Sequence, residues 1–338
     1  MRTKFLLLLS SLVLALVLTG CKTETAQQPL RLQGQIFGTY WFVTYLDPWN
    51  NQLSEQLNLA IVEELNKVDL AMSTYKPNSE LNQLNQAKVG QWVKLSPNTF
   101  EVLAMAQDVA AATQGAFDVT LGGLVNLWSF GPEKHKNLPS NAAIRKVLAE
   151  VGYQHLELNP AELSARRNKN SFVDLSGIAK GYAVDKVAAR LRTLGGENFL
   201  VNIGGEIYAA GLRAENQKWR IGIEIPKANQ QEAQHLLQLS NTSVATSGGY
   251  RNFYEVDGQE YSHTLNPKTG KPITHKLKSV TILHPSNAIA DAWATAFMAS
   301  EPETAFSLAE TYKIKALFIT QEEEGFQTRL SPSMSSYL

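Results

Sequence analysis

The stretch that most constrains how this chain can fold runs from Val173 to Asp185: Val-Asp-Leu-Ser-Gly-Ile-Ala-Lys-Gly-Tyr-Ala-Val-Asp. A short apolar run ends in Asp174, a glycine-spaced turn follows, and an amphipathic pattern then begins with Lys180 at its start. Strand, tight turn and helix N-terminus in that order leave backbone N–H groups pointing outward, where they can hold a phosphate. The plainer reading is an ordinary strand–turn–helix joint.

Other stretches carry chemistry-bearing residues at defined spacings. Tyr261-Ser-His-Thr-Leu-Asn-Pro-Lys-Thr-Gly-Lys-Pro places His263 just before a turn, and Ala290-Asp-Ala-Trp-Ala-Thr-Ala puts Asp291 and Thr295 four apart. On a helix that spacing directs both side chains from one face. A carboxylate with a hydroxyl suits a hard, oxygen-preferring cation such as Mg²⁺, although such pairs also serve as caps or solvated surface. Histidine's unperturbed pKa, near 6.5, would let His263 accept a proton at neutral pH; the alternative is a hydrogen-bonded structural residue. The other five histidines, at 135, 155, 235, 275 and 284, read as structural or surface.

The N-terminus reads as an export signal. Arg2 and Lys4 precede an apolar run, Phe5 to Leu18, that falls short of the roughly 20 residues of a membrane-spanning helix. Leu18-Thr19-Gly20-Cys21 then has the form of a bacterial lipoprotein cleavage site. The expectation is a signal peptide over residues 1–20, lipidation of Cys21, a flexible tether over 21–33, and a folded domain over 34–335. The protein would then be exported and lipid-anchored to a bacterial membrane, facing the periplasm. Lys22 in place of aspartate leans towards the outer membrane without deciding it. Cys21 is the only cysteine, so its lipidation leaves none for a disulfide, a thiolate nucleophile or a metal site.

The chain has 31 basic and 31 acidic residues, and no long basic run that would point to nucleic acid. Helical spacing predicts helices from Leu53 to Met72, from Pro97 to about Thr113, over Ala142–Val151, Gly181–Leu194, Ala288–Ala299 and Glu303–Tyr312. Strand patterns are expected at Ile36–Leu46 (one strand interrupted at Gly38-Thr39), His155–Asn159, Leu163–Arg166 and Ser171–Val173. Further strands are expected at Phe199–Ile203, Ile207–Ala210, Trp219–Ile225, Asn252–Val256, Ser279–Leu283 and Ala316–Thr320. The irregular interleaving predicts one mixed α/β (α+β) unit, with two lobes left open. Neither Gly-x-Gly-x-x-Gly nor a Walker loop is present.

With Gly115-Ala-Phe-Asp-Val-Thr120, Asn202-Ile-Gly-Gly-Glu206 and Ser243-Val-Ala-Thr-Ser-Gly-Gly-Tyr250, these segments make the chain resemble the ApbE family from about Phe37 to about Ala299. The resemblance implies a T-fold-related body and a Mg²⁺-dependent FAD:protein FMN transferase. It implies Asp291, Thr295 and the Gly177 carbonyl as metal ligands and His263 as general base. It maps FAD contacts onto Phe37, Tyr75, Ala116, Phe117, Asp118, Asp174, Lys180 and the Leu265 region. Phe37 departs from the methionine often found there, and Asn266 stands where aspartate is frequent. Implied partners are FAD and exported clients such as Na⁺-translocating NADH:quinone reductase or Rnf-type subunits. A non-catalytic FAD carrier and an FAD diphosphatase are the alternatives.

Overall fold

The computed structural model describes residues 27–135, 137–227, 232–249, 253–256 and 258–338. The expected signal peptide, Cys21 and Tyr250 lie outside the described residues. Among those described, no helix is long and apolar enough to cross a membrane.

The body is organised on one eight-stranded sheet: β1 (Leu30–Ile36), β2 (Thr39–Tyr45), β3 (Phe199–Ile203), β4 (Glu206–Ala210), β5 (Thr242–Gly248), β6 (Leu277–His284), β7 (Lys315–Glu322) and β8 (Gly325–Leu330). The strands run in chain order from edge to edge, each antiparallel to the next. The helices are excursions between them: α1 (Asn51–Met72), α2 (Glu80–Gln86), α3 (Pro97–Ala112), α4 (Gly122–Leu127), α5 (Asn141–Leu148), α6 (Ala179–Thr193), α7 (Asn287–Ala299) and α8 (Pro302–Thr311).

One face of the sheet carries α6 on β3 and β4 and α7 on β5 and β6, with α1 laid over α6. The apolar stripe Leu57, Ile61, Leu65, Val68 and Met72 turns α1 inward, and Asn50 caps it by accepting from Leu53 N at 2.8 Å. In α3, Ser96 is the cap and Pro97 opens the first turn. Nearly every position of α7 is buried, which explains its alanine-rich composition: small side chains let α6 and the sheet approach closely.

The opposite face is covered by a ribbon, Trp219–Glu224 paired with Ala233–Leu239. Its alternate residues Trp219, Ile221 and Ile223 pack with Leu237 against Val244, Leu283 and Ile319 of the sheet. A satellite core of Leu124, Trp128, Ile144 and Leu265 lies under the loops, fastened where Trp128 Nε1 donates to Gly270 O at 2.8 Å.

Several boundaries differ from the expectations. Ile36–Leu46 is not one strand: Phe37 and Gly38, at φ 52° and 71°, form a two-residue reversal between β1 and β2. The expected tether over 21–33 is ordered earlier, because β1 begins at Leu30. Gln27 Nε2 also donates to Trp49 O at 2.7 Å, and Trp49 Nε1 donates to Gln28 O at 3.0 Å. Ser171–Val173 is no strand; Phe172 makes an isolated bridge to Leu121.

Candidate functional site

The segment from Asp174 onward is built as its pattern suggests. Asp174 N donates to Val119 O at 2.8 Å, and Asp174 Oδ1 accepts from Ser176 N at 2.8 Å, closing the turn before α6. That turn brings Gly177 against α7. A Cβ on Gly177 would lie 3.2 Å from Thr295 Oγ1, from Thr295 Cγ2 and from Phe117 Cε2. Thr295 is half-buried in a stretch, Ala290–Ala299, that is otherwise buried, so its hydroxyl marks where α7 opens at the turn. One turn earlier, Asp291 is buried, and its Oδ2 accepts from Gly181 N at 3.2 Å. Gly177, Asp291 and Thr295 are thus assembled by the contact of two helices.

That contact depends on Gly181, where a Cβ would meet Asn287 O at 2.4 Å and Ala288 Cα at 2.9 Å. It depends also on Asp185, whose carboxylate accepts from Ser286 Oγ at 2.7 Å, Asn287 N at 2.7 Å and Ala288 N at 3.0 Å. The last residue of the informative segment therefore caps the helix that carries Asp291 and Thr295.

Lys180 lies beside this assembly. Its ammonium pairs with Glu206 Oε1, and Glu206 Oε2 accepts from Thr246 N at 3.3 Å. Glu206 is only 2% exposed, and burial pushes its carboxyl up to about 7, aided by Asp291 and opposed by Lys180. Burial also pushes the Asp291 carboxyl up, with Lys180 and the Gly181 amide opposing. Glu206 leaves the β3–β4 turn, Gly204-Gly205. A Cβ on Gly204 would lie 2.8 Å from Thr39 Cγ2, so this turn touches the Phe37-Gly38 turn.

The remaining candidates divide. Tyr75 is 64% exposed, and its hydroxyl donates to Phe130 O at 3.4 Å. Partial burial and then the Asp174 charge push its phenol up. The Phe130 ring meets His263 edge-on, 6.3 Å between centroids, and Tyr254 packs on Phe130 at 5.0 Å. Ala116 and Phe117 follow a left-handed reversal at Gln114-Gly115, and Phe117 is buried against Gly177.

Two candidates are less open than expected. Asp118 ties its own loop together, accepting from Thr120 N at 2.8 Å and Tyr153 N at 2.8 Å; burial pushes its carboxyl up and these bonds oppose. The Leu265 side chain belongs to the satellite core, which leaves only its backbone to face a ligand.

Among the described residues, no three His, Cys, Asp or Glu side chains gather as a metal cage. A cation here would be held by one carboxylate, one hydroxyl and a carbonyl, completed by phosphate and water. That donor set fits Mg²⁺, which prefers oxygen and keeps several waters. Sequence reasoning missed Glu206, Gly181 and Asp185. The first ended a recognised motif, and the others lay inside one, but no spacing rule tied them to α7.

A set of oxygen donors, a lysine beside it and exposed aromatic side chains are chemistry that would suit a phosphoanhydride substrate bearing an aromatic group. The comparisons make the class specific. Residues 37–318 match the ApbE family model, and the chain belongs to that family. It is 38% identical to an FAD:protein FMN transferase of Vibrio cholerae, with 98% of each chain covered, and 33% identical to one of Escherichia coli, covering 97% of this chain and 96% of the other. The flavin transferase ApbE structure from Vibrio cholerae superposes with a TM-score of 0.85 at 35% identity, covering 92% of this chain and 99% of that one. An ApbE protein from Thermotoga maritima gives 0.82 at 27%, with the same shares covered.

Proposed function

We propose that this chain is a Mg²⁺-dependent FAD:protein FMN transferase. The observation that carries the reading is the meeting of Gly177, Thr295 and Asp291 beside Lys180, in a chain that matches relatives of that name along nearly its full length. The bound cation would supply charge neutralisation on the pyrophosphate. Asp291, Thr295 and the Gly177 carbonyl would hold it.

Lys180, as a point charge, orients a phosphate oxygen. Tyr75 and the Phe37 turn bracket the flavin, with Asp174, Ala116, Phe117 and Asp118 shaping the wall. His263 takes the proton from a Thr or Ser hydroxyl of the acceptor. The hydroxyl oxygen forms a bond to the phosphorus on the riboflavin side, the bond to the bridging oxygen breaks, and AMP leaves. Positioning and charge stabilisation supply most of the rate. The acceptors are exported redox proteins, with Na⁺-translocating NADH:quinone reductase and Rnf-type subunits as candidates. Cys21 anchors the enzyme by lipid to a bacterial membrane on its periplasmic side.

The test mixes residues 22–338 with FAD, Mg²⁺ and a Thr-containing domain of such a client, and records the client's intact mass. A gain of FMN minus water, abolished by EDTA and by Asp291→Ala, and reduced on the order of 10²–10⁴-fold by His263→Ala, is expected. AMP and FMN without a client gain would instead favour a diphosphatase. Bound but unconsumed FAD would favour a carrier.

A further inference from the structure

Lys180 serves two carboxylates at once. It is the second residue of α6, next to Gly181, whose amide donates to Asp291, and its charge acts on that carboxylate. Its ammonium forms an ion pair with Glu206 Oε1. Glu206, the first residue of β4, is well placed to hold it: it is nearly fully buried, and its second oxygen accepts from Thr246 N of β5 at 3.3 Å. Its backbone position is set by the Gly204-Gly205 reversal, and Gly205 N donates to Asn202 Oδ1 at 3.0 Å. A buried carboxylate on the sheet thus holds a flexible four-carbon arm that starts beside the contact with the helix carrying the cation ligand.

We infer that Glu206 is a positioning residue: it holds the Lys180 ammonium on the sheet side so that Asp291 stays available to a divalent cation and the ammonium stays aimed at phosphate. The inference rests on the proposed cation site. An ammonium released from Glu206 would be drawn to Asp291, whose carboxylate its charge already reaches, and compete with the metal. The expected cost is one charge–charge coupling, roughly tenfold in cation affinity.

This separates from a merely electrostatic role, in which the Glu206 charge attracts the cation directly. Through Lys180, loss of Glu206 matters only while the ammonium is present. Acting directly, it would matter whether or not Lys180 is there.

The experiment measures Mn²⁺ binding to the FAD-free protein by the loss of the free-ion electron paramagnetic resonance signal, with thermal unfolding as the control for folding. Four proteins are compared: parent, Glu206→Gln, Lys180→Met and the double variant. The expected pattern is binding roughly tenfold weaker in E206Q than in the parent, and equal in K180M and K180M/E206Q, giving a coupling of that size. Weakening by E206Q of similar size in both backgrounds would overturn the inference, as would parent-like binding in E206Q. No Mn²⁺ binding by the parent would overturn the cation site itself and this inference with it. If E206Q does not fold, Glu206→Asp replaces it. That variant keeps the charge but shortens the arm by a methylene, so weaker binding in the Lys180 background alone is expected, and parent-like binding overturns the idea.

Discussion

Asp185 makes a quantitative prediction because its work is confined to one helix end. Its two oxygens accept from Ser286 Oγ, Asn287 N and Ala288 N, all between 2.7 and 3.0 Å. In Asp185→Ala the two amides and the hydroxyl lose an anionic acceptor, and the N-terminus of α7 loses a charge that complements its dipole. A capping loss alone costs about 0.5–2 kcal/mol, and bonds to an ionised group are worth about 1.5–3 kcal/mol each. Against these stands the burial of the carboxylate, strong enough to push it above its ordinary value in spite of its three donors. The balance is a destabilisation of about 2–4 kcal/mol, which for a domain of this size lowers Tm by about 3–6 °C. Asp185→Asn keeps one acceptor but turns an amide donor towards donors, and should fall between Ala and parent. Calorimetry or urea unfolding followed by tryptophan fluorescence reads the effect, and Trp293 on α7 reports from within the affected helix. A change in Asp185→Ala below about 0.5 kcal/mol would refute the reasoning, because it would mean that water or the chain replaces the carboxylate at no cost.

Gly181→Ala forces a methyl to within 2.4 Å of Asn287 O, a backbone atom that no rotamer change can move. Separation of α6 from α7 should cost about 1–3 kcal/mol in chemical denaturation, and divalent-cation binding should weaken because Asp291 loses its Gly181 contact. His275 Nε2 donates to Met298 O at 3.0 Å, while its buried Nδ1 has no hydrogen-bond partner among the described residues. Burial therefore holds its pKa below the ordinary 6.5. The unfolded chain takes up a proton near 6.5 and the fold resists it, so this contribution to stability is present above that pH and lost as pH falls below it, with a slope of up to about 1.4 kcal/mol per pH unit. His275→Gln should lose less stability than the parent between pH 7 and pH 5; parallel unfolding profiles would contradict this.

Elements with a strong period were legible in the chain: α1 from its Leu57–Met72 stripe, α3 from Ser96-Pro97, and the ribbon strand at Trp219 from its alternation. Where the sequence misled, a specific cause is visible. Phe37 adopts a left-handed conformation unfavourable for its side chain, so the reversal lacks the Asn-Gly signature and reads as a strand interruption. The seven residues of α2 are mostly polar and held by Ser79 at the cap, too short for a periodic signal. Asp291 and Thr295 were recognisable as a pair from i, i+4 spacing, but Glu206 joins them from a strand 85 positions away in the chain, and only the packing of β4 against α6 reveals it. Leu265 shows the opposite error: a residue within a recognised motif whose side chain serves the satellite core.

The burial of these carboxyls carries one further consequence. Asp174, Glu206 and Asp291 are all pushed up by burial, and Lys180 opposes the shift for the last two. In the metal-free protein the fold therefore holds protons that the unfolded chain releases at lower pH. Its stability should fall as pH rises from the ordinary carboxyl range through the Glu206 value of about 7. A divalent cation reverses this, since it binds the deprotonated form and must displace protons at lower pH. Mg²⁺ at about 100 times its dissociation constant adds about 2.7 kcal/mol. The Mg²⁺-induced rise in Tm should thus be several degrees at pH 8 and markedly smaller at pH 5, and Asp291→Asn should abolish it at both. A rise independent of pH, or one that survives Asp291→Asn, would place the cation elsewhere and leave the buried carboxyls as a purely structural cost.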